Sequence, residues 1–370
     1  MRLGIDASTY FDVLNQGGRF YLDHKEIEPV SYLHDENGVD YFRIRLWLDP
    51  KDKKGNPYKG GDNDTEKGLA LASFAASKGY DILLDFHYSD FWCDPAKQRL
   101  PKSWEHMNLD EICKAIADYT KTTLIRFKNH HFPIKAIQIG NEITNGMLWP
   151  LGRVEGDDPN VVREGYDSLC KMLNVGIKAA REIFPEASIL LHLEKSYDQH
   201  IYDEFLTQME EHQVNYDVLG VSYYPFWHGT FTMLFDNIDM VKMKFHKPVW
   251  IVETSYAHTN KDMEVENHLW TPVVNEELFK GEGTYKPYPL TQEGQADFVK
   301  TLLELSRQHG VDAVMYWEPL WIPVKNLTWA SAAGRSYVKE EHKALVNEWA
   351  NQCLFGYDGE ATKALFEFHI

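Results

Sequence analysis

A chain of 370 residues is long enough for one large α/β domain or two ordinary ones, and can bury a sizeable core either way. Its formal charge of −18, from 56 acidic against 38 basic residues, repels phosphate backbones and anionic lipid surfaces, so no nucleic acid and no membrane partner is expected. The sequence has no apolar run of about 18 residues, the length a membrane-spanning helix needs.

Short apolar runs alternate with amphipathic stretches along the whole chain. Residues 3–6 form the first predicted strand, followed by a turn at Gly17 and Gly18 and a helix over 27–35. The second strand is 39–46, carrying Arg43 and Arg45 and tipped by Trp47. A polar loop, 49–64, leads to a helix over 65–78 for which Asp64 or Thr65 is the N-cap. The third strand, 81–86, runs into His87-Tyr88-Ser89-Asp90-Phe91-Trp92 and a helix over 109–128. The fourth, starting at Lys135, is an alternating apolar run that stops at Gly140-Asn141-Glu142.

A helix over 161–184, stopped by Pro185, precedes the fifth strand at 188–192 and a helix over 201–211. The sixth strand, 218–222, is tipped by Tyr223, Tyr224 and Trp227, and a helix over 233–245 leads to the seventh, 249–252, with Glu253 at its end. A long irregular loop, 257–289, intervenes before a helix over 292–308 and the eighth strand, 313–316, which ends in Trp317-Glu318-Pro319. A further helix near 343–352 and a closing segment complete the chain.

Eight strands with helices between them, and neither repeats nor a low-complexity linker, predict a single (β/α)8 TIM barrel over residues 1–370. The surplus over a minimal barrel lies in the loops after strands 2, 4, 7 and 8, on the C-terminal face where such barrels hold their sites. A doubly wound open sheet is the alternative, but no Gly-rich phosphate fingerprint follows any strand.

Glu142 and Glu253 each end a strand, and barrel closure sets the fourth and seventh strand tips across one mouth. Paired carboxylates there suit glycoside hydrolysis, one as acid/base and one as nucleophile. The bland reading of both is a pair of rim salt bridges. The segments RIRLW (43–47), LLDFHYSDFW (83–92), QIGNE (138–142), VETSY (252–256) and YWEPLWIPV (316–324) resemble glycoside hydrolase family 53, the arabinogalactan endo-β-1,4-galactanases of clan A. The resemblance implies a retaining enzyme acting on β-1,4-galactan or galacto-oligosaccharides. It also implies Glu142 as acid/base, Glu253 as nucleophile and Asn141 as the residue that holds the sugar 2-hydroxyl. Another clan A β-glycanase and a non-catalytic sugar-binding barrel are the rival readings.

A nucleophilic carboxylate must stay ionised, so Arg45 and either Tyr223 or Tyr224 are expected to donate to Glu253. Of Arg43 and Arg45, at most one is expected to face the site, with the other paired to a carboxylate lower in the barrel. Glu142 must hold a proton near neutrality, helped by a less polar pocket and the charge of Glu253. Asp6, His87 and Asp90 are candidates for sugar hydroxyls, against a bland role in satisfying tight turns. Aromatic residues make up 14% of the chain, and Trp92, Trp227, Trp317 and Trp321 follow strand tips where an indole can stack on a pyranose. Trp317 is expected beside the scissile bond, whereas Trp250 and Trp349 read as packing.

No cofactor is required by this chemistry. Bacterial members of the family can hold a structural calcium between the loops after strands 7 and 8, and the matching segment here is 260–267. Asp262, Glu264 and Glu266 could supply oxygens, but Met263 and Val265 replace the expected glycines, so a solvated acidic loop is the expectation. The four cysteines, Cys93, Cys113, Cys170 and Cys353, are scattered, and Cys93 beside the site would be a liability in an oxidising medium. With no leader-like N-terminus, these features favour a cytoplasmic protein, a secreted one with its leader removed being the alternative. Oligomeric state and chain-length preference are not encoded in any motif.

Overall fold

The computed structural model describes residues 1–281, 284–341 and 345–369. Eight parallel strands close into a barrel: β1 (Arg2–Asp6), β2 (Val39–Leu46), β3 (Asp81–Phe86), β4 (Ile134–Ile139), β5 (Ser188–Leu193), β6 (Val218–Tyr223), β7 (Val249–Thr254) and β8 (Ala313–Trp317). Each strand pairs with its sequence neighbour, and β8 closes on β1 through the register Arg2 opposite Ala313 to Asp6 opposite Trp317. The connecting helices are α1 (Pro29–Asp35), α2 (Thr65–Ser77), α3 (Leu109–Asn129), α4 (Pro159–Ile183), α5 (Gln199–Glu211), α6 (Phe231–Phe245) and α7 (Gln292–Gln308).

Local chemistry sets these boundaries. Asp64 caps α2 by accepting from Lys67 N, and Asn108 with Glu111 forms a reciprocal capping box on α3. The outward residues of the strands, such as Ile44, Leu84, Ile137 and Leu191, are fully buried beneath the helices. Inside the barrel, Tyr41, Leu83, Ala136, Leu190, Val218, Trp250, Val252, Ala313 and Met315 form a separate apolar plug. Gly4 is required there: a Cβ on it would lie 2.8 Å from the Cβ of Tyr41. Above this floor the inward positions become polar, and the site is built on them.

The loops carry short elements that periodicity does not show: a helix at Tyr10–Asn15, and antiparallel hairpins pairing Phe20–Leu22 with Lys25–Ile27 and Met263–Val265 with His268–Trp270. The helix expected near 343–352 is not found. Its first two positions lie outside the described residues, and the remainder is irregular apart from a single turn at Ala350–Gln352. A last short helix, α8 (Lys363–Glu367), lies against α7, and Asn37 donates to the carbonyls of Leu365 and Phe368, tying the C-terminus to the start of β2. Among the described residues, no helix is long and apolar enough to cross a membrane.

Candidate active site

At the C-terminal mouth lies a cavity of about 710 Å³, lined by Arg45, His87, Trp92, Asn141, Glu142, Tyr224, Glu253, Trp317 and Trp321 among others. Its size and its mixture of aromatic walls with a few convergent polar groups are those of a small-molecule site. Both glutamates reach it through backbone irregularity. After β4, Gly140 (φ +84°) turns the chain and Glu142 itself sits in the left-handed region (φ 48°, ψ 51°), a costly conformation for a non-glycine residue that is typical of functional positions. In β7 the register against β6 slips by one residue, with Val221 opposite Ile251 but Ser222 opposite Glu253. This bulge lets Val252 fill the apolar plug while its neighbour Glu253 also faces inward.

Beneath the cavity floor a buried ionic network holds the nucleophile candidate. Arg43 donates to Glu253 Oε1 at 2.8 Å and to Asp6 at 2.8 Å, pairs with Asp85 at 2.9 Å, and also meets Gln138 and Asn141. Arg45 donates to Asp6 at 3.0 Å and to Glu318 at 2.6 Å, with its guanidinium 4.5 Å from the ring centre of Trp92. The structure therefore corrects the expected division between the two arginines. Residues two apart on a strand share a face, so both point into the barrel, and it is Arg43 rather than Arg45 that holds Glu253. Tyr224 completes the pair, its hydroxyl donating to Glu253 Oε2 at 3.1 Å. Tyr223 faces the helices instead and donates to Gly229 O at 3.1 Å.

Glu142 has a different setting. Ser222 Oγ donates to its Oε1 at 2.7 Å. Burial, then Glu253, then Glu194 push its carboxyl well above the ordinary range. Burial also lifts Glu253, with Arg43 pulling it back down and Asp6 and Asp85 adding to the lift. Both carboxyls are lifted, and at Glu253 the guanidinium of Arg43 opposes the lift, which favours ionisation there over Glu142.

Other expected site residues are placed as follows. Asp6 lies under Arg43 and Arg45, and Asp90 accepts from Asp49 N and Lys102 N in the loop after β3; neither lines the cavity, and nor does Tyr223. Short carboxylates this deep are consumed by the network or by turn N–H groups, which corrects their placement as sugar contacts. His87 does line the cavity, but Nε2 meets Asp85 Oδ2 at 2.9 Å and Nδ1 accepts from Trp47 Nε1, so both ring nitrogens are engaged within the protein. Trp92 packs on Trp321 at 6.2 Å with a 23° interplanar angle, and Trp317 stands edge-on to Trp349. Trp349, expected as packing, lines the cavity together with Trp227, Trp270 and Trp329. The last two sit on loops whose shape no periodicity could reveal.

The calcium segment does not converge. Met263–Val265 is one strand of a hairpin, Asp262, Glu264 and Glu266 are exposed, and Glu266 pairs with Lys325. Among the described residues, no cluster of His, Cys, Asp or Glu is arranged to hold a metal ion. All four cysteines are buried and unpaired.

Glu194, at the end of β5, is a further buried carboxylate, lifted from its ordinary 4.5 to about 7 by burial, with Lys195 opposing; its Oε1 has no hydrogen-bond partner. The folded state thus holds this proton more tightly than the unfolded chain, so its contribution is favourable below about pH 4.5 and is lost as pH rises towards 7. Glu194→Gln is accordingly expected to leave stability unchanged at pH 4 and to raise it by about 1–3 kcal/mol at pH 8. Denaturant unfolding at the two pH values measures this, and an equal effect at both would refute it.

Comparison with known proteins identifies the family. The sequence matches Glycosyl hydrolase family 53 over residues 2–368. This chain belongs to that family. It is 32% identical over 384 residues to an endo-beta-1,4-galactanase of Bacillus subtilis, covering 99% of this chain and 84% of that protein. It is also 32% identical to an arabinogalactan endo-beta-1,4-galactanase of Cellvibrio japonicus, covering 87% of this chain and 81% of the relative. Among solved structures, the family 53 catalytic domain of Ignisphaera aggregans superposes with a TM-score of 0.86 at 30% identity, covering 99% of this chain and 94% of that one. The family 53 chain is thus a glycoside hydrolase with the barrel of that family, its two strand-tip glutamates facing one cavity.

Proposed function

We propose that this family 53 hydrolase is an endo-β-1,4-galactanase that cleaves β-1,4-galactosidic bonds in (arabino)galactan or galacto-oligosaccharides with retention of configuration. The observation that carries the reading is the asymmetry of its two buried glutamates: Glu253 is held by Arg43 and Tyr224, while Glu142 has one neutral donor and a carboxyl pushed up by its surroundings. The named galactanase relatives supply the substrate class.

In the first step Glu253 attacks the anomeric carbon as Glu142 gives its proton to the departing glycosidic oxygen, so the C–O bond breaks and a glycosyl ester forms. Esterification removes the negative charge of Glu253, and the carboxyl of Glu142 falls in pKa and becomes the base. It then takes a proton from water, whose oxygen attacks the same carbon and releases Glu253. Trp317 and Trp92 offer apolar surface for sugar rings, with Trp321 packed behind Trp92, and Asn141, fixed by Arg43, lines the same cavity as the residue for the 2-hydroxyl. Asp6 and Asp85 act indirectly, by fixing Arg43.

Product profiles on β-1,4-galactan, mannan and carboxymethylcellulose test the substrate; preferential hydrolysis of either of the latter two would reject galactan. Glu142→Gln is expected to slow galactan cleavage by roughly 10²–10⁴-fold. The loss should be much smaller on an aryl galactobioside with a good leaving group, which needs little protonation. Equal losses on both substrates would remove Glu142 from the acid role.

A further inference from the structure

Ser222 on β6 has a hydroxyl with one proton and two close partners. It lies 2.7 Å from Glu142 Oε1 and 2.9 Å from His192 Nε2. The ring orientation on the far side settles what His192 offers. Its Nδ1 is 3.0 Å from Asn141 Oδ1, and that amide cannot be turned round: Oδ1 accepts from Arg43 at 3.0 Å and Nδ2 donates to Cys93 O at 2.9 Å. Gln138 Nε2 also approaches Nδ1 at 3.2 Å, but has shorter acceptors in Asp85 Oδ1 at 2.6 Å and Gly140 O at 2.9 Å. Glu142 N stands at 3.4 Å from the same nitrogen, the longest of these contacts. Nδ1 therefore carries the ring proton and donates to Asn141, which leaves a lone pair on Nε2 facing Ser222. Burial and the charge of Arg43 keep this histidine neutral.

We propose that Ser222, backed by His192, is a positioning residue whose hydroxyl swings between two acceptors and so holds Glu142 in one place whether that carboxyl is protonated or ionised. When Glu142 is an acid in the free enzyme, its O–H donates to Ser222 Oγ and the serine proton turns to His192 Nε2, until a bound glycosidic oxygen takes that proton. When Glu142 is ionised, the serine proton turns back to Oε1 and Nε2 gives up its donor. No proton leaves Ser222 or His192 in either arrangement; the only proton exchanged is that of Glu142 itself.

The other groups facing Glu142 cannot reverse in this way. Glu253 from β7, Glu194 from the end of β5 and Asp94 from the loop after β3 all disfavour its charge. Tyr224 beyond β6 and Tyr202 on α5 are hydroxyls kept protonated first by burial, then by Glu253 and Glu194 respectively, and after these by Glu142. Arg43 is engaged by Glu253.

The inference rests on Glu142 as the acid/base. A hydrogen bond to a charged acceptor is worth more than one to a neutral partner, so Ser222→Ala costs the ionised form more than the protonated one. The basic limb of the kcat/KM pH profile is expected to move up by about one unit, with kcat at neutral pH reduced roughly tenfold. Ser222→Thr, which keeps the hydroxyl, should return the limb to its wild-type position. A basic limb that stays in place in Ser222→Ala while activity falls would overturn the proposal, since a merely structural role lowers activity without moving the profile. The profiles are run on whichever β-glycan the wild type cleaves fastest, so a failure of the galactan assignment shows in the wild type and is separate from this result.

Discussion

Glu253→Gln is expected to lower turnover by on the order of 10⁴–10⁶-fold while oligosaccharide affinity stays within about threefold of wild type. The amide is isosteric with the carboxylate. Its oxygen can still accept from Arg43 and its NH2 can donate to the Tyr224 hydroxyl, so the wall of the cavity keeps its shape. What disappears is the negative charge and the lone pair that form the glycosyl ester. Titration of tryptophan fluorescence against galacto-oligosaccharides gives the affinity, and reducing-end release gives the rate. More than about 1% residual turnover would rule out Glu253 as nucleophile, and lost affinity with unchanged turnover would point to a binding role.

The second large effect is on stability. Arg43→Met removes one cation and leaves Asp6, Asp85 and Glu253 facing one another with no exposed surface on the arginine side of the network. Breaking a buried pair from one side costs about 3–5 kcal/mol, because Asp85 and Glu253 lose their arginine partner while Asp6 keeps Arg45. At roughly 2 cal/mol/K of unfolding entropy per residue, this corresponds to a fall in Tm of about 4–7 °C. Freed of Arg43, the Glu253 carboxyl keeps the lift from burial, Asp6 and Asp85 without the opposing pull, so the loss should grow from pH 5 to pH 8. Activity falls as well, since Glu253 loses the group that keeps it ionised. A melting temperature within about 1 °C of wild type at pH 8 would show that the network is not held by this residue.

Much of the architecture was legible because barrel strands are buried on both faces and announce themselves as short apolar runs. The bounds of β2 and β3 and of α7 coincide with the sequence reading, and Asn141-Glu142 after β4 stood out because a carboxylate follows an apolar run so abruptly. The site's second layer was less accessible. Period-two alternation assigns Arg43 and Arg45 to one face, yet the expectation was that only one pointed inward; the ionic lattice that accommodates both is made by Asp6, Asp85 and Glu318, which lie far apart in sequence. Ser222 and His192 stand at inward positions of the same alternation, but no motif sets them apart from ordinary strand residues.

Register slips are harder. Val252 and Glu253 are consecutive and both face inward, and only pairing against β6 reveals the bulge that permits it. The 260–267 segment is ambiguous in sequence for a related reason: on an extended hairpin, Asp262, Glu264 and Glu266 are exposed without converging on a point.

Arg43 draws its partners from four other strands of the barrel. Standing on β2, it reaches Asp6 on β1, Asp85 on β3, Gln138 on β4 and Glu253 on β7. A chain that has not yet joined its first and last portions has no means of organising the charge that performs chemistry. Completion of the ring and acquisition of competence therefore coincide, and a half-assembled intermediate would be inert towards polysaccharide rather than a poor catalyst.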